Sequence, residues 1–209
     1  MPVCVECGEE VVRTYRQYAG QNNVRLSRCQ TCGHVADKYV EYETLLVALD
    51  VLLHRVQAFR HVLLNRQNAR LTPFLQLALV AALASAASKW HIYRHWCVPL
   101  ALTEMLLFVA GVLVGTYALH KRRKQHAKLA LSASLLAQSP KLLLLMPHVW
   151  HFNRDGADLA VVVYAFSFTC AVTAVRAAFR CSISRAAASV LLGITGTVAF
   201  NLLLMLHNE

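Results

Sequence analysis

The sequence predicts a small, cysteine-stapled β unit followed by an all-α polytopic membrane bundle of about five transmembrane helices. Three observations predict it. Four cysteines form two C-x-x-C pairs within the first 32 residues of a 209-residue chain. Hydrophobic residues make up 57% of the chain and charged residues 15%, against roughly 25% charged in a soluble domain. Five apolar stretches, at about 71–88, 97–119, 129–151, 158–179 and 186–206, each approach a bilayer-spanning length, which is about 20 residues for a helix. The composition excludes disorder, which needs low hydrophobicity and high net charge.

Residues 1–43 read as the β unit. Cys4-Val-Glu-Cys7-Gly8 and Cys29-Gln-Thr-Cys32-Gly33 are two equivalent knuckles. Between them Val11 to Tyr18 and Val24 to Arg28 are strand-like, with Ala19 to Asn23 as the turn. Knuckle, strand, turn, strand, knuckle is the plan of a zinc ribbon. A C-x-x-C turn lets two thiolates reach one ion, and Gly8 and Gly33 can adopt the positive φ that such a turn requires. Four thiolates leave no open coordination position, so Cys4, Cys7, Cys29 and Cys32 point to a structural Zn2+, not a catalytic one. Iron, a redox pair or a disulfide pair are the competing readings. Residues 1–44 contain no apolar run, so the N-terminus is expected in the reducing cytosol, where C-x-x-C pairs bind metal. Cys97, Cys170 and Cys181 lie in apolar surroundings and read as packing residues.

Residues 44–65 predict an amphipathic helix. Leu45, Leu49, Leu52, Val56, Phe59 and Leu63 recur at helical spacing, and Asp50, His54, Gln57 and His61 form a polar stripe on another face. Two placements fit: an interfacial membrane helix, and a helix packed on the ribbon. In the first, Arg55, Arg60 and His61 are candidates for lipid-phosphate contact.

Residues 66–209 predict the transmembrane bundle. Its third stretch contains Pro140, Lys141 and Pro147, so a kinked or re-entrant course is an alternative to a full span. The net charge is +10, and the excess sits beside the apolar stretches: residues 66–209 carry fourteen basic and four acidic side chains, residues 1–65 seven of each. That distribution favours membrane topology over nucleic acid. Five basic residues lie in 120–128 and three in 176–185, while the opposite side receives Lys89, Arg94 and Arg154. The positive-inside rule then places the zinc ribbon and both basic loops on the cytosolic side.

Glu104 and Lys141 are charges inside predicted spans, and such residues are functional candidates by default. Depth arithmetic puts them roughly 10 and 15 Å from the same end of the bundle, so they are expected to pair. The pair is either a structural bridge or part of a polar cleft for a lipid headgroup. His91 and His95, and His148 and His151, have helical metal-ligand spacing, but they flank Trp90, Trp96 and Trp150 at span borders, where amphipathic side chains collect. The sequence has no nucleophile elbow, P-loop or H-E-x-x-H motif. No enzyme activity is therefore expected, the competing reading being a membrane-embedded His or Glu base. Gly193, Gly196 and Ala81 to Ala87 allow close helix contact, including contact with a partner's spans.

Taken together, these residues resemble the Arv proteins, endoplasmic-reticulum membrane proteins of lipid homeostasis. The resemblance rests on Cys4–Cys7, Tyr15, Tyr18, Cys29–Cys32, Asp37-Lys38-Tyr39-Val40-Glu41 and Phe59-Arg60-His61-Val62-Leu63-Leu64-Asn65. Phe59 stands where the family usually has tyrosine. Glu104, Lys141 to Pro147 with Trp150, and Ala174-Val175-Arg176 match family features more loosely. The resemblance implies a multi-pass endoplasmic-reticulum protein acting in sterol distribution, sphingolipid balance and glycosylphosphatidylinositol (GPI) anchor synthesis. The implied partners are sterol, phosphatidylinositol-type lipid or a GPI precursor. It also implies, as an alternative, an accessory subunit of the GPI N-acetylglucosaminyltransferase complex.

Overall fold

The computed structural model describes residues 1–17, 24–66, 71–119, 126–146 and 157–207. Strands β1 (Tyr15–Gln17) and β2 (Val24–Leu26) pair antiparallel, with Tyr15 opposite Leu26 and Gln17 opposite Val24. Both are shorter than the sequence pattern suggests. Arg28, at the end of the second expected strand, instead forms an isolated bridge with Val35, and a matching bridge joins Val3 to Glu10. The expected turn at 19–23 lies outside the described residues.

The helix expected over 44–65 is a hairpin. Helix α1 spans Thr44–Leu52, and α2 (Val56–Arg60) runs on into a π turn over His61–Asn65. The break is a left-handed C-terminal cap at His54, φ +55°. His54 N–H donates to Val51 O and Arg55 N–H to Asp50 O, both at 3.0 Å, the paired bonds that close a helix end. A non-glycine residue in this conformation costs about 1 kcal/mol. Contact of the hairpin with the bundle offsets it: the His54 ring lies 4.3 Å from that of Phe166.

Four helices among the described residues are long and apolar enough to cross a membrane: Leu71–Trp90, Arg94–Leu119, Leu159–Phe179 and Ile183–Leu204. They lie in α3 (Leu71–Tyr93), α4 (Cys97–Leu119, entered through a 3-10 turn), α6 (Ala157–Phe179) and α7 (Ile183–His207). The arrangement is consistent with a multi-pass membrane protein. Trp90 and Trp96 are exposed at the α3–α4 connection and Tyr117 is exposed near the other end of α4. Trp96 and Tyr117 are roughly 30 Å apart at helical rise, the thickness of a hydrocarbon core.

The third stretch, 129–151, is not one continuous helix among the described residues, so the count of about five spans is not confirmed. Its described part is a short helix, α5 (His126–Leu136), followed by a 3-10 segment, Ser139–Leu145. Pro140 has no N–H to donate and disfavours helical backbone at the preceding residue. This segment is not a lipid-facing helix. Ala130, Ser132 to Pro140 and Leu144 are buried, and the segment packs among α3, α4 and α6. Irregular backbone is tolerated at membrane depth when other helices cover it. Pro147, Trp150 and the His148/His151 pair lie outside the described residues.

The ribbon sits at the C-terminal end of α6, where Arg180 Nη2 lies 3.8 Å from Glu10 Oε1. The basic stretch 176–185 is therefore on the ribbon's side of the bundle, as the charge count anticipates. Val5 and Tyr39 of the ribbon, Phe59 and Leu63 of the hairpin, and Phe74, Ala133 and Ala174 of the bundle belong to one buried cluster. From there the hairpin tip reaches Phe166, roughly 20 Å along α6 from its ribbon end. Helices α4 and α7 approach closely at Gly111: a Cβ there would lie against the Gly193 Cα and 2.8 Å from Leu192 O.

Candidate functional site: a four-cysteine centre and its helical clamp

The two knuckles repeat the same bonds. Gly8 N–H donates to Cys4 O (2.8 Å) and Gly33 N–H to Cys29 O (3.0 Å). Cys4 N–H donates to Glu9 O and Cys29 N–H to His34 O, both at 2.8 Å. Gly8 (φ +85°) and Gly33 (φ +72°) hold the left-handed conformation that turns the chain back. The Sγ atoms of Cys4 and Cys32, and of Cys7 and Cys29, are 3.7 Å apart, and all four lie within 4.8 Å of one another. The edge of a tetrahedron with metal–sulfur bonds of about 2.3 Å is about 3.8 Å, and a disulfide needs about 2.05 Å. The four cysteines can therefore hold one metal ion. In the metal-free chain, burial pushes the Cys4 thiol up to about 12, against the pull of the Cys7 and Glu6 amides. The amides of Cys32 and Thr31 lower Cys29 to about 6.

A clamp from the hairpin grips this centre. Arg60 Nη1 donates to Val5 O (2.8 Å) and Glu6 O (2.7 Å), inside the first knuckle. A Cβ on Gly8 would come within 3.3 Å of the guanidinium. Burial, with Arg176 and Arg180 nearby, pulls the Arg60 guanidinium below its ordinary value, and the Cys7 and Cys4 sulfurs oppose that shift. Four thiolates around a dication carry a net charge of −2, which this arginine partly offsets.

Asp37 organises the rest. Its carboxylate is 0% exposed. It accepts from Tyr39 N–H (3.0 Å) and Asn65 Nδ2 (2.7 Å), and Oδ2 lies 2.8 Å from His61 Nδ1. Asn65 also exchanges two bonds with the Val3 backbone, at 2.7 and 2.8 Å. The π turn brings Arg60, His61 and Asn65 to one face, since its wider turn aligns residues five apart. Gln57 Nε2 donates to Glu6 Oε2 (3.2 Å) and Tyr39 Oη to Asp50 Oδ2 (2.8 Å). Burial and that bond to Asp50 hold the Tyr39 phenol well above its usual range.

The polar stripe of residues 44–65 is thus the ribbon-binding face of the hairpin at Asp50, Gln57 and His61. Replacing Asp37 by alanine leaves three donors without their acceptor. It should cost about 3–5 kcal/mol. Hydrogen exchange should then show the Val3 and Tyr39 amides losing protection while α4 and α7 keep theirs.

Residues 3–98 match the model of the Arv1-like family. The matched region contains all four cysteines, Asp37 and the whole clamp. Over these residues the chain is similar to the Arv1-like family. It is 25% identical to the Protein arv1 homolog of Dictyostelium discoideum over 99% of this chain and 96% of that one. It is 46% identical to Protein arv1 of Schizosaccharomyces pombe over 68 residues, 32% of this chain and 26% of the relative. With human Protein ARV1 it shares 25% identity over 76% of this chain and 66% of that one. No solved structure matches.

On this scaffold the lipid-contact candidates separate. Arg60 and His61 are turned to the ribbon. Arg55 is outward, its side chain 55% exposed, with Nε 3.4 Å from Asp50 Oδ1. Glu104 is buried, and its bonded partner is Lys89 of α3 instead of Lys141. Lys141 Nζ sits 5.7 Å from the centre of the Tyr164 ring. The sequence reading missed Lys89 because it lies one residue past the predicted span and counts there as a loop charge. Nothing but its four-residue spacing from Ser85 marks it as facing the bundle. Gly193 is used inside the chain against α4, whereas a Cβ on Gly196 would meet nothing within 4 Å.

Proposed function

We propose that this Arv1-like chain is a non-enzymatic, lipid-handling protein of the endoplasmic-reticulum membrane, with its ribbon in the cytosol. It binds or presents lipid in support of sterol distribution, sphingolipid balance and GPI-anchor synthesis. The observation that carries this reading is the hairpin. Leu45, Leu46, Leu49 and Leu52 of α1 and Leu53 at its C-terminal cap are all exposed, while the opposite face of α1 packs through Val47 and Val51. The hairpin tip lies beside the middle of α6. A leucine face at that depth meets acyl chains, and contiguous apolar surface of this kind marks a membrane contact. The ribbon acts as the wedge that holds the hairpin there. Its ion is Zn2+, which suits four thiolates in a tetrahedron and has a structural role.

A second reading is supported by the outward face of α7, where Leu191, Leu192, Val198, Leu202, Leu203 and Leu206 are exposed around Gly196. A partner's span fits such a surface, and the chain would then be an accessory subunit of the GPI N-acetylglucosaminyltransferase complex. Native mass spectrometry of the full chain, released from its own membranes in mild detergent, tests both. One zinc and a defined lipid per chain are expected. Free protein without lipid overturns the first reading. Stoichiometric glycosyltransferase subunits would establish the second.

A further inference from the structure

Three charged groups meet in the half of the bundle away from the ribbon. Lys89 of α3 is paired with Glu104 of α4. Lys141, over the Tyr164 ring, is within electrostatic reach of both. Two ammonium groups and one carboxylate leave a net charge of +1. Lys141 Nζ lies over the face of the Tyr164 ring, 5.7 Å from its centre, and that face offers a cation no lone pair.

Unsatisfied polar groups flank this surplus charge. Ser85 Oγ (residue 1% exposed) and Gln138 Nε2 (2%) are buried without a partner. Ser85 precedes Lys89 by one helical turn on α3, so the two share a face. Gln138 lies three residues before Lys141, and its carbonyl accepts the Lys141 N–H at 3.0 Å. The 3-10 segment that carries Lys141 packs directly on α3. Next to Gln138, Ser139 Oγ has only the Cys170 thiol, a weak partner, within reach. Buried donors left unmade each cost of order 1–3 kcal/mol, and an unbalanced charge costs more. Lys141 Nζ and Gln138 Nε2 can only donate. What they lack is an anion rich in acceptor oxygens.

We propose that Lys141, Gln138 and Ser85 form a phosphate-binding site in the far half of the bundle, with the Lys89–Glu104 pair as its fixed wall. A phosphate group supplies several acceptors and opposes the surplus positive charge. Tyr164 is seven residues into α6, roughly 10 Å from the helix start, a depth that a lysine side chain bridges toward the headgroup layer. The phosphate comes either from a phospholipid headgroup or from solution. The proposal deepens the lipid-handling reading and rests on it.

The test uses the full chain in detergent and native mass spectrometry with three probes: dioleoyl phosphatidic acid, dioleoylglycerol, which lacks only the phosphate, and inorganic phosphate. The wild-type chain should retain phosphatidic acid in preference to dioleoylglycerol. Lys141→Met should weaken that retention about ten-fold or more, and Lys141→Arg should keep it within about three-fold. Gln138→Leu should weaken it by several-fold, and it carries the test if Lys141→Met does not fold. Melting temperatures report folding throughout. Retention of inorganic phosphate as well as phosphatidic acid, lost together in Lys141→Met, assigns the site to free phosphate; retention of phosphatidic acid alone assigns it to the headgroup. Equal retention of phosphatidic acid and dioleoylglycerol, or wild-type retention in a folded Lys141→Met, overturns the proposal while lipid binding itself stands. A wild-type chain that holds no lipid at all overturns both.

Discussion

Stripping the metal from the four-cysteine centre should unfold residues 1–43 and leave the spans folded. The ribbon has two strands of three residues each and a small buried core, far below the size at which a domain holds itself together by burial alone. In small structural sites the ion contributes on the order of 10–16 kcal/mol, which is folding energy. Its loss removes the knuckle carbonyls of Val5 and Glu6 from Arg60 and so releases the hairpin clamp. The expected readout is limited proteolysis after chelation, with cleavage between residues 1 and 43 at least about ten-fold faster and the α4–α7 region still protected. Cys29→Ser should reproduce this without a chelator. Unchanged protease resistance in metal-free protein, verified by elemental analysis, would remove the metal from the fold.

Gly111→Ala should break the bundle at a close backbone contact between α4 and α7. In an exposed helix, glycine to alanine stabilises by about 1 kcal/mol. At Gly111 the added carbon would lie against the Gly193 Cα and 2.8 Å from Leu192 O. Both are backbone atoms, so no side-chain rotation relieves the overlap and α4 and α7 must separate. Overpacking costs about 1–3 kcal/mol where side chains can move, and about 3 kcal/mol or more is expected here. The variant should melt several degrees lower in detergent and elute as a broad species. Gly196→Ala, where nothing lies within 4 Å, should melt at or slightly above the wild-type temperature. If both variants behave alike, the α4–α7 contact does not hold the bundle.

The ribbon was legible from spacing alone. Two C-x-x-C-G turns bring four sulfurs together through local geometry, and the structure sets them within 4.8 Å of one another. Four of the apolar stretches were legible by length. The stretch at 129–151 was legible only as a doubt around Pro140, because hydropathy does not separate a helix facing lipid from a segment buried among helices. The hairpin was half legible. Its polar stripe was visible, but the partners of Asp50, Gln57 and His61 are Tyr39, Glu6 and Asp37, and a periodicity cannot say whether water, lipid or protein lies opposite. Nor did it show the break at His54, which needs no glycine where tertiary contact supports the left-handed residue.

By itself the sequence determined a metal-competent cysteine cluster, a set of bilayer-length helices and a basic side to the bundle. These follow from the reach of a two-residue turn, the thickness of hydrocarbon and the placement of charge along the chain. Only the tertiary structure decided that Glu104 bonds Lys89 and leaves Lys141 in surplus, that Arg60 and His61 serve the ribbon, and that Gly111 meets Gly193. Those outcomes depend on the rotation and register of one helix against another. Many packing contacts set them jointly, and no single segment carries them.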